Sequence, residues 1–427
     1  MDRQDARHPA TVDAARQQYG FGLSWLALMV VLPPLVYYLW ICVRYYQGAL
    51  ILPRSMAAWQ EFWTHVSPPT WTAAAIYGAW FLVQLALQVW VPGRTVQGMP
   101  LPDGRRLEYR LNGLLSFLLT LGMLAGAVFL GGLDATLLYE QIGALMTVVN
   151  LFTFAFAGLL YFWDLQGADW ERPTGRPLYD YFMGTALNPR IGSLDIKLFC
   201  EARPGMIFWM LLNLSMAAKQ YEVLGTVTVP MVLVVGFQGF YLIDYFIHEE
   251  AILTTWDIKH EKFGWMLCWG DLVWLPFTYS LQAQYLVNHP HDLPWWGITA
   301  IVALNLLGYT IFRGANSQKH GFRRNPERPV WGRPPEYLET AKGPLLLTSG
   351  WWGLSRHMNY FGDLMIALSW CLPVAFGSAL PYFHIVYFTI LLLQRERRDD
   401  AMCLSKYGED WHRYRARVPW RIVPGLY

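Results

Sequence analysis

Apolar runs dominate the chain at roughly 21–43, 71–91, 111–133, 141–163, 205–218, 224–247, 265–286 and 295–313, and a longer tract covers 361–393. A helix needs about 20 apolar residues to cross some 30 Å of hydrocarbon, and most of these runs reach or approach that length. The last tract is too long for one crossing and is punctuated by Gly377 and Pro381, so it reads as a tight hairpin of two helices. The pattern predicts an all-α integral membrane protein of about ten transmembrane helices.

Positive charge supports an even count. With those spans, 30 of the 33 Lys and Arg residues fall on one set of alternating segments. Cytoplasmic loops carry the Lys and Arg excess, which predicts that both termini are cytoplasmic. Composition agrees with the class, with 54% hydrophobic and 15% charged residues and a mean hydropathy of +0.23. Residues 1–20 are expected to form a short cytoplasmic tail and 21–427 a single multi-span domain, with 224–427 carrying the chemistry. The first run lacks a small-residue cleavage site and is expected to be retained. The five cysteines form no CxxC pair, so neither a disulfide framework nor a zinc site is predicted. No GxGxxG follows a strand and no GxxxxGK[ST] occurs, which excludes a Rossmann unit and a P-loop.

Polar chemistry concentrates in three segments predicted to be cytoplasmic. In FRGANSQKHGFRRNPERP, Lys319 and Arg323 stand four apart and share a face if the preceding helix continues. Lys as a point charge and Arg as a bidentate fork suit phosphate, although a positive-inside anchor touching lipid headgroups would look the same. GWWGLSRHMNYFGDL places His357, Asn359, Tyr360 and Asp363 behind Trp351 and Trp352, either as an interfacial aromatic belt or as a place to stack a planar ring and bond its edge. Beyond the last apolar run, Arg395, Asp399, Cys403 and Tyr407 recur every four residues on one helical face, with Arg397, Arg398, Asp400, Lys406, Asp410 and Tyr414 nearby. An Arg395–Asp399 pair is the simplest structural use of that face, but the charge density favours a ligand site.

A deeper stripe of Tyr241, Asp244, Tyr245 and His248 ends the run at 224–247. An acid at such depth is expensive unless it is paired or functional. His248, Glu249, Glu250, His260 and Glu261 lack the closely spaced histidine boxes that a di-iron centre needs, so no metal is predicted. NHPHD at 288–292 reads as a turn.

Four blocks carry a family resemblance: YFMGTALNPRIGSLDIKLFCEARPGMIFW, ILTTWDIKHEKFGWMLCWGDLVWLPFTYSLQAQYL, GANSQKHGFRRNP, and the C-terminal pair described above. Over about 100–427 the chain resembles the sterol reductase family, which includes the carbon-14, carbon-7 and carbon-24(28) reductases and the membrane domain of lamin B receptor. The tryptophan pair and ALSWCLP are closest to the carbon-14 branch. The resemblance implies an NADPH-dependent reduction of a sterol ring double bond. Its cofactor site would lie at the cytoplasmic side of the C-terminal half, built from Lys319, Arg323, Leu347, Trp352, Asn359, Tyr360, Asp363, Arg395, Asp399, Cys403, Lys406, Tyr407 and Tyr414. Similar enzymes protonate the alkene and deliver hydride to the cation, for which Tyr241 is the first candidate acid and Asp399 the second.

Reduction at carbon 7 or carbon 24(28), an S-adenosylmethionine-dependent membrane methyltransferase and a non-catalytic sterol-binding protein are the alternatives. The expected partners are a sterol and membrane lipid. The long basic N-terminal region of lamin B receptor has no counterpart, so neither nucleic acid nor an obligate protein partner is expected. The membrane would be the endoplasmic reticulum in a eukaryote and the inner membrane in a bacterium.

Overall fold

The computed structural model describes residues 23–101, 104–163 and 174–427, so the expected tail at 1–20 lies outside the described residues. It is mostly helical and divides into two compact units, one formed by the chain up to Thr226 with Gln238–Val287, the other by Val227–Phe237 with Asn288–Tyr427. The principal helices are α1 (Leu23–Tyr45), α2 (Trp71–Trp90), α3 (Gly113–Phe129), α4 (Ile142–Phe162), α5 (Pro204–Leu224), α6 (Val229–Ile247), α7 (Trp295–Arg324), α8 (Met358–Cys371), α9 (Phe383–Tyr407) and α10 (Glu409–Arg417). By length and composition α2, α4, α6, α7 and all but the first residue of α1 can cross a membrane, giving five candidate spans among the described residues.

In the first unit the polar interior was not foreseen. Arg203 and Glu249 form a fully buried ion pair at 2.6 Å. Such a pair is tolerable only if its remaining donors and acceptors are satisfied. Arg203 also donates to Gln88 and Asn112, each at 2.9 Å, and Glu249 accepts from the Gly113 N–H at 2.8 Å, which satisfies the pair's polar atoms except the buried Arg203 Nη1, left without a hydrogen-bond partner among the described residues. The apolar run at 265–286 is broken into Trp265–Trp269, a π-helical turn Gly270–Trp274, Leu275–Tyr279 and Leu281–Asn288. The widened turn presses its Asp271 carbonyl onto Gly205, where a Cβ would lie 1.8 Å away. A hairpin of β1 (Arg94–Pro100) and β2 (Arg106–Leu111) occupies the segment between the apolar runs at 71–91 and 111–133. RLEYRL alternates, and its inward residues Tyr109 and Leu111 are buried.

In the second unit α7 and α8 cross tightly. A Cβ on Gly308 would meet the Gly362 carbonyl at 2.9 Å, and one on Gly362 would meet the Phe312 amide nitrogen at 2.6 Å. Asn305 bonds Ser369 across the same crossing at 2.8 Å. Gly362→Ala is therefore expected to destabilise the protein by about 1–3 kcal/mol through overpacking, read as a lower thermal midpoint in detergent; an unchanged midpoint would mean the crossing has slack.

The 30 residues of α7 extend about 45 Å at 1.5 Å per residue, more than the hydrocarbon thickness. Its polar last turns thus carry Lys319 and Arg323 beyond the apolar stretch. The tract at 361–393 is indeed a hairpin: α8 ends at Cys371, 3₁₀ turns follow, and α9 begins at Phe383. α9 continues unbroken to Tyr407 and presents Arg395, Asp399, Cys403 and Tyr407 at successive turns.

Candidate active site

The end of α7, the start of α8 and the polar half of α9 meet around Asp399. Lys319 Nζ lies 4.2 Å above the Trp352 ring. The Trp352 indole N–H donates to the Ala315 carbonyl at 2.8 Å, which fixes that ring against α7. His357 Nε2 stands 3.8 Å from Asp399 Oδ2, and the His357 ring stacks on Tyr360 with centroids 4.8 Å apart.

Two sequence neighbours on α9 are driven in opposite directions. Burial pushes the Asp399 carboxyl up and Asp400 adds to that; Lys319, Arg395 and Arg323 pull against it, and the net is upward. Burial alone would also raise Asp400, but hydrogen bonds from Arg415 and Trp411, with the charges of Arg415 and Arg356, hold it below the usual range. Trp411 Nε1 and Arg415 Nε donate to Asp400 Oδ1 at 2.9 and 3.0 Å. The two neighbouring carboxyls are thus held apart, Asp399 above and Asp400 below the usual range.

A C-terminal strap holds the α8 entrance. Arg356 and His357 N–H groups donate to the Trp420 and Arg421 carbonyls at 2.9 and 2.8 Å, and Ser355 Oγ donates to the Ile422 carbonyl at 2.9 Å. Arg421 in turn bonds the fully buried Glu396 on α9 at 3.0 Å.

Among the described residues, Asn359 Oδ1 and Glu396 Oε1 are both buried acceptors left open near this site. Asn359 Oδ1 is enclosed and has no hydrogen-bond partner within the protein. An orphaned buried acceptor costs about 1–3 kcal/mol, which a ligand donor would relieve. One turn along α8, Asp363 has Arg313 and Arg395 as its charged neighbours.

The other sequence candidates divide. Tyr414 is buried with Trp411 and Val418, and Cys403 and Tyr407 pack against that cluster. The Cys403 thiol is pushed up to about 12, chiefly by burial and then by Asp399, so it is not a ready nucleophile. Leu347 is a core residue packed with Trp352 and Met358. Arg323 and Lys406 are exposed, the latter 5.0 Å from the Tyr407 ring.

The deep stripe belongs to the first unit. Tyr241 is half-buried, and its ring lies 6.5 Å from that of Trp209. Tyr245 has Glu201, Tyr241, Asp271 and Glu249 within electrostatic reach. Asp244 faces His248, just past the end of α6, at 3.2 Å. Sequence reading missed Glu396, Arg356, Arg415 and Arg421 as organisers of the site, because their partners are 15 or more residues away and leave no local spacing.

The fold and the site define a helical membrane protein with a cation-lined polar site built on its C-terminal helices. Residues 14–427 match the model of the Ergosterol biosynthesis ERG4/ERG24 family. The chain is 76% identical, over all 427 residues and the whole of the relative, to a Delta(14)-sterol reductase of Methylotuvimicrobium alcaliphilum. It is 46% identical to that of Dictyostelium discoideum, over 98% of this chain and 92% of the relative. The Delta(14)-sterol reductase LBR of Gallus gallus is 40% identical over 95% of this chain and 63% of its own length. This chain belongs to the ERG4/ERG24 sterol reductase family.

Proposed function

We propose that this protein reduces the carbon-14 double bond of a sterol with NADPH, protonating the alkene and receiving hydride at the resulting cation. The naming of the relatives as Delta(14)-sterol reductases, including the one at 76% identity, supports carbon 14 over carbon 7 or carbon 24(28). Membership of a reductase family speaks against a methyltransferase. The observation that carries the chemistry is the opposed pair Asp399 and Asp400: a part-exposed carboxyl shifted above the usual range, 3.8 Å from the His357 ring, beside a salt-bridged anion and a cluster of cations.

The residues present fit the cofactor. Lys319 and Arg323 supply cations for phosphate, Trp352 and Tyr360 supply ring faces, and the open Asn359 Oδ1 suits a carboxamide N–H. Asp363, Arg395, Cys403, Lys406, Tyr407 and Tyr414 complete the proposed site, with Leu347 packed behind Trp352. When bound, the nicotinamide supplies the hydride. The protein's own task is to deliver a proton from Tyr241 or Asp399 and to exclude water from the cation.

The test is cofactor choice. Lys319→Ala and Arg323→Ala are each expected to weaken NADPH roughly ten- to a hundredfold and NADH far less, as for a lost charge-assisted phosphate contact. Equal weakening of both cofactors would take these residues off the extra phosphate.

The proposed arrangement has ten spans with both termini cytoplasmic, in the endoplasmic reticulum of a eukaryote or the inner membrane of a bacterium. Cysteine labels placed near residues 290 and 325, at the two ends of α7, are expected to react from opposite sides of sealed vesicles. Labelling from the same side would remove α7 from the list of spans.

A further inference from the structure

The His357 ring is fixed from several directions. Its backbone N–H donates to the Arg421 carbonyl at 2.8 Å, and its own carbonyl accepts from the Tyr360 and Phe361 N–H groups at 2.9 and 3.3 Å. The ring is stacked on Tyr360 at an interplanar angle of 16° and is 6% exposed. From there Nε2 stands 3.8 Å from Asp399 Oδ2, near enough for a small carboxyl rotation to complete a hydrogen bond. Burial first, then the charges of Lys319 and Arg356, push the imidazole down to about 3; Arg421 acts the same way and Asp400 opposes. So weak a base stays neutral, and it accepts a hydrogen bond from a carboxylic acid without taking the proton.

We propose that His357 is the positioning residue of the acid: its Nε2 accepts a hydrogen bond from protonated Asp399, which orients the carboxyl and keeps the proton on it at neutral pH. This rests on the reading of Asp399 as a group that works protonated. The charged groups facing Asp399 are Lys319, Arg395 and Arg323, which favour its ionised form, and Asp400, which opposes it. Cys403 and Tyr414 are its neutral titratable neighbours. Against three cations, a bond made only to the acid form is an effective counterweight. An imidazolium in the same place would be a fourth cation and would ionise Asp399, so the suppressed basicity of His357 is what lets the arrangement work.

The test is an infrared titration of the carboxyl C=O band in the full-length protein in detergent, without cofactor or substrate, the band being assigned by its loss in Asp399→Asn. His357→Phe keeps the stacked ring but removes the acceptor, and is expected to lower the Asp399 midpoint by roughly one pH unit. His357→Gln, whose Oε1 can accept, is expected to restore most of that shift. Should His357→Phe fail to fold, His357→Leu gives the same comparison. An unmoved or raised midpoint in the non-accepting variant, or a glutamine variant no different from it, overturns the positioning role. Because the titration needs no turnover, the two readings fail separately. Full turnover in Asp399→Asn sinks the acid role alone, whereas lost turnover there with an unmoved titration sinks only the role of His357.

Discussion

Asp399→Asn lowers turnover by roughly 10²- to 10⁴-fold, the range for loss of a positioned general acid. The amide keeps the shape of the carboxyl but has no proton to give. Since Asp399 lies among Lys319, Arg395 and Arg323 in the proposed cofactor site, the amide is also expected to alter NADPH affinity, so the dissociation constant shifts along with kcat. The pH dependence carries a sign. Burial raises the Asp399 pKa, so under the proposed acid role the protonated form is complete at low pH and is lost as pH rises through that raised value. Wild-type kcat is expected to fall along an alkaline limb that is missing from the residual activity of Asp399→Asn. A limb identical in both proteins would assign it to another group.

Tyr241→Phe tests the other candidate acid with the smallest possible change. The ring keeps its place beside Trp209 while only the hydroxyl is removed. If Tyr241 delivers the proton, folding and NADPH affinity survive and turnover falls by something like 10²- to 10⁴-fold. Normal turnover with normal affinity would leave Asp399 as the acid. Loss of NADPH binding in this variant would show that α6 helps to form the cofactor site.

The helical membrane class was legible because hydrophobic runs of span length have few other uses, and the hairpin at 361–393 was legible because Gly377 and Pro381 mark its turn. The shared faces of Lys319 with Arg323, and of Arg395, Asp399, Cys403 and Tyr407, were legible because a four-residue spacing survives wherever a helix continues unbroken, as α7 and α9 do. The broken helix at 265–288 was not legible, because the close approach that accompanies its π-helical turn involves Gly205, some 66 residues earlier. The β1–β2 hairpin was overlooked because six alternating residues are a weak signal beside runs of twenty. The division of labour between Asp399 and Asp400 was equally hidden. Adjacent residues in sequence point to different sides of α9, and the Arg415 and Trp411 that restrain Asp400 come from α10.

The central claim is protonation followed by hydride transfer at the carbon-14 double bond, and isotope placement in the product tests it most directly. Purified protein is incubated with a carbon-14-unsaturated sterol and NADPH deuterated at the transferred position, and in parallel with unlabelled NADPH in heavy water. Protonation of the less substituted alkene carbon leaves the positive charge on the more substituted one. The product is therefore expected to carry cofactor deuterium at carbon 14 and solvent deuterium at its alkene neighbour. Carbon-7 and carbon-24(28) unsaturated sterols are expected to return unchanged. Reversed label positions, absence of cofactor deuterium from the product, or reduction of one of the other sterols in place of the carbon-14 substrate would contradict the account.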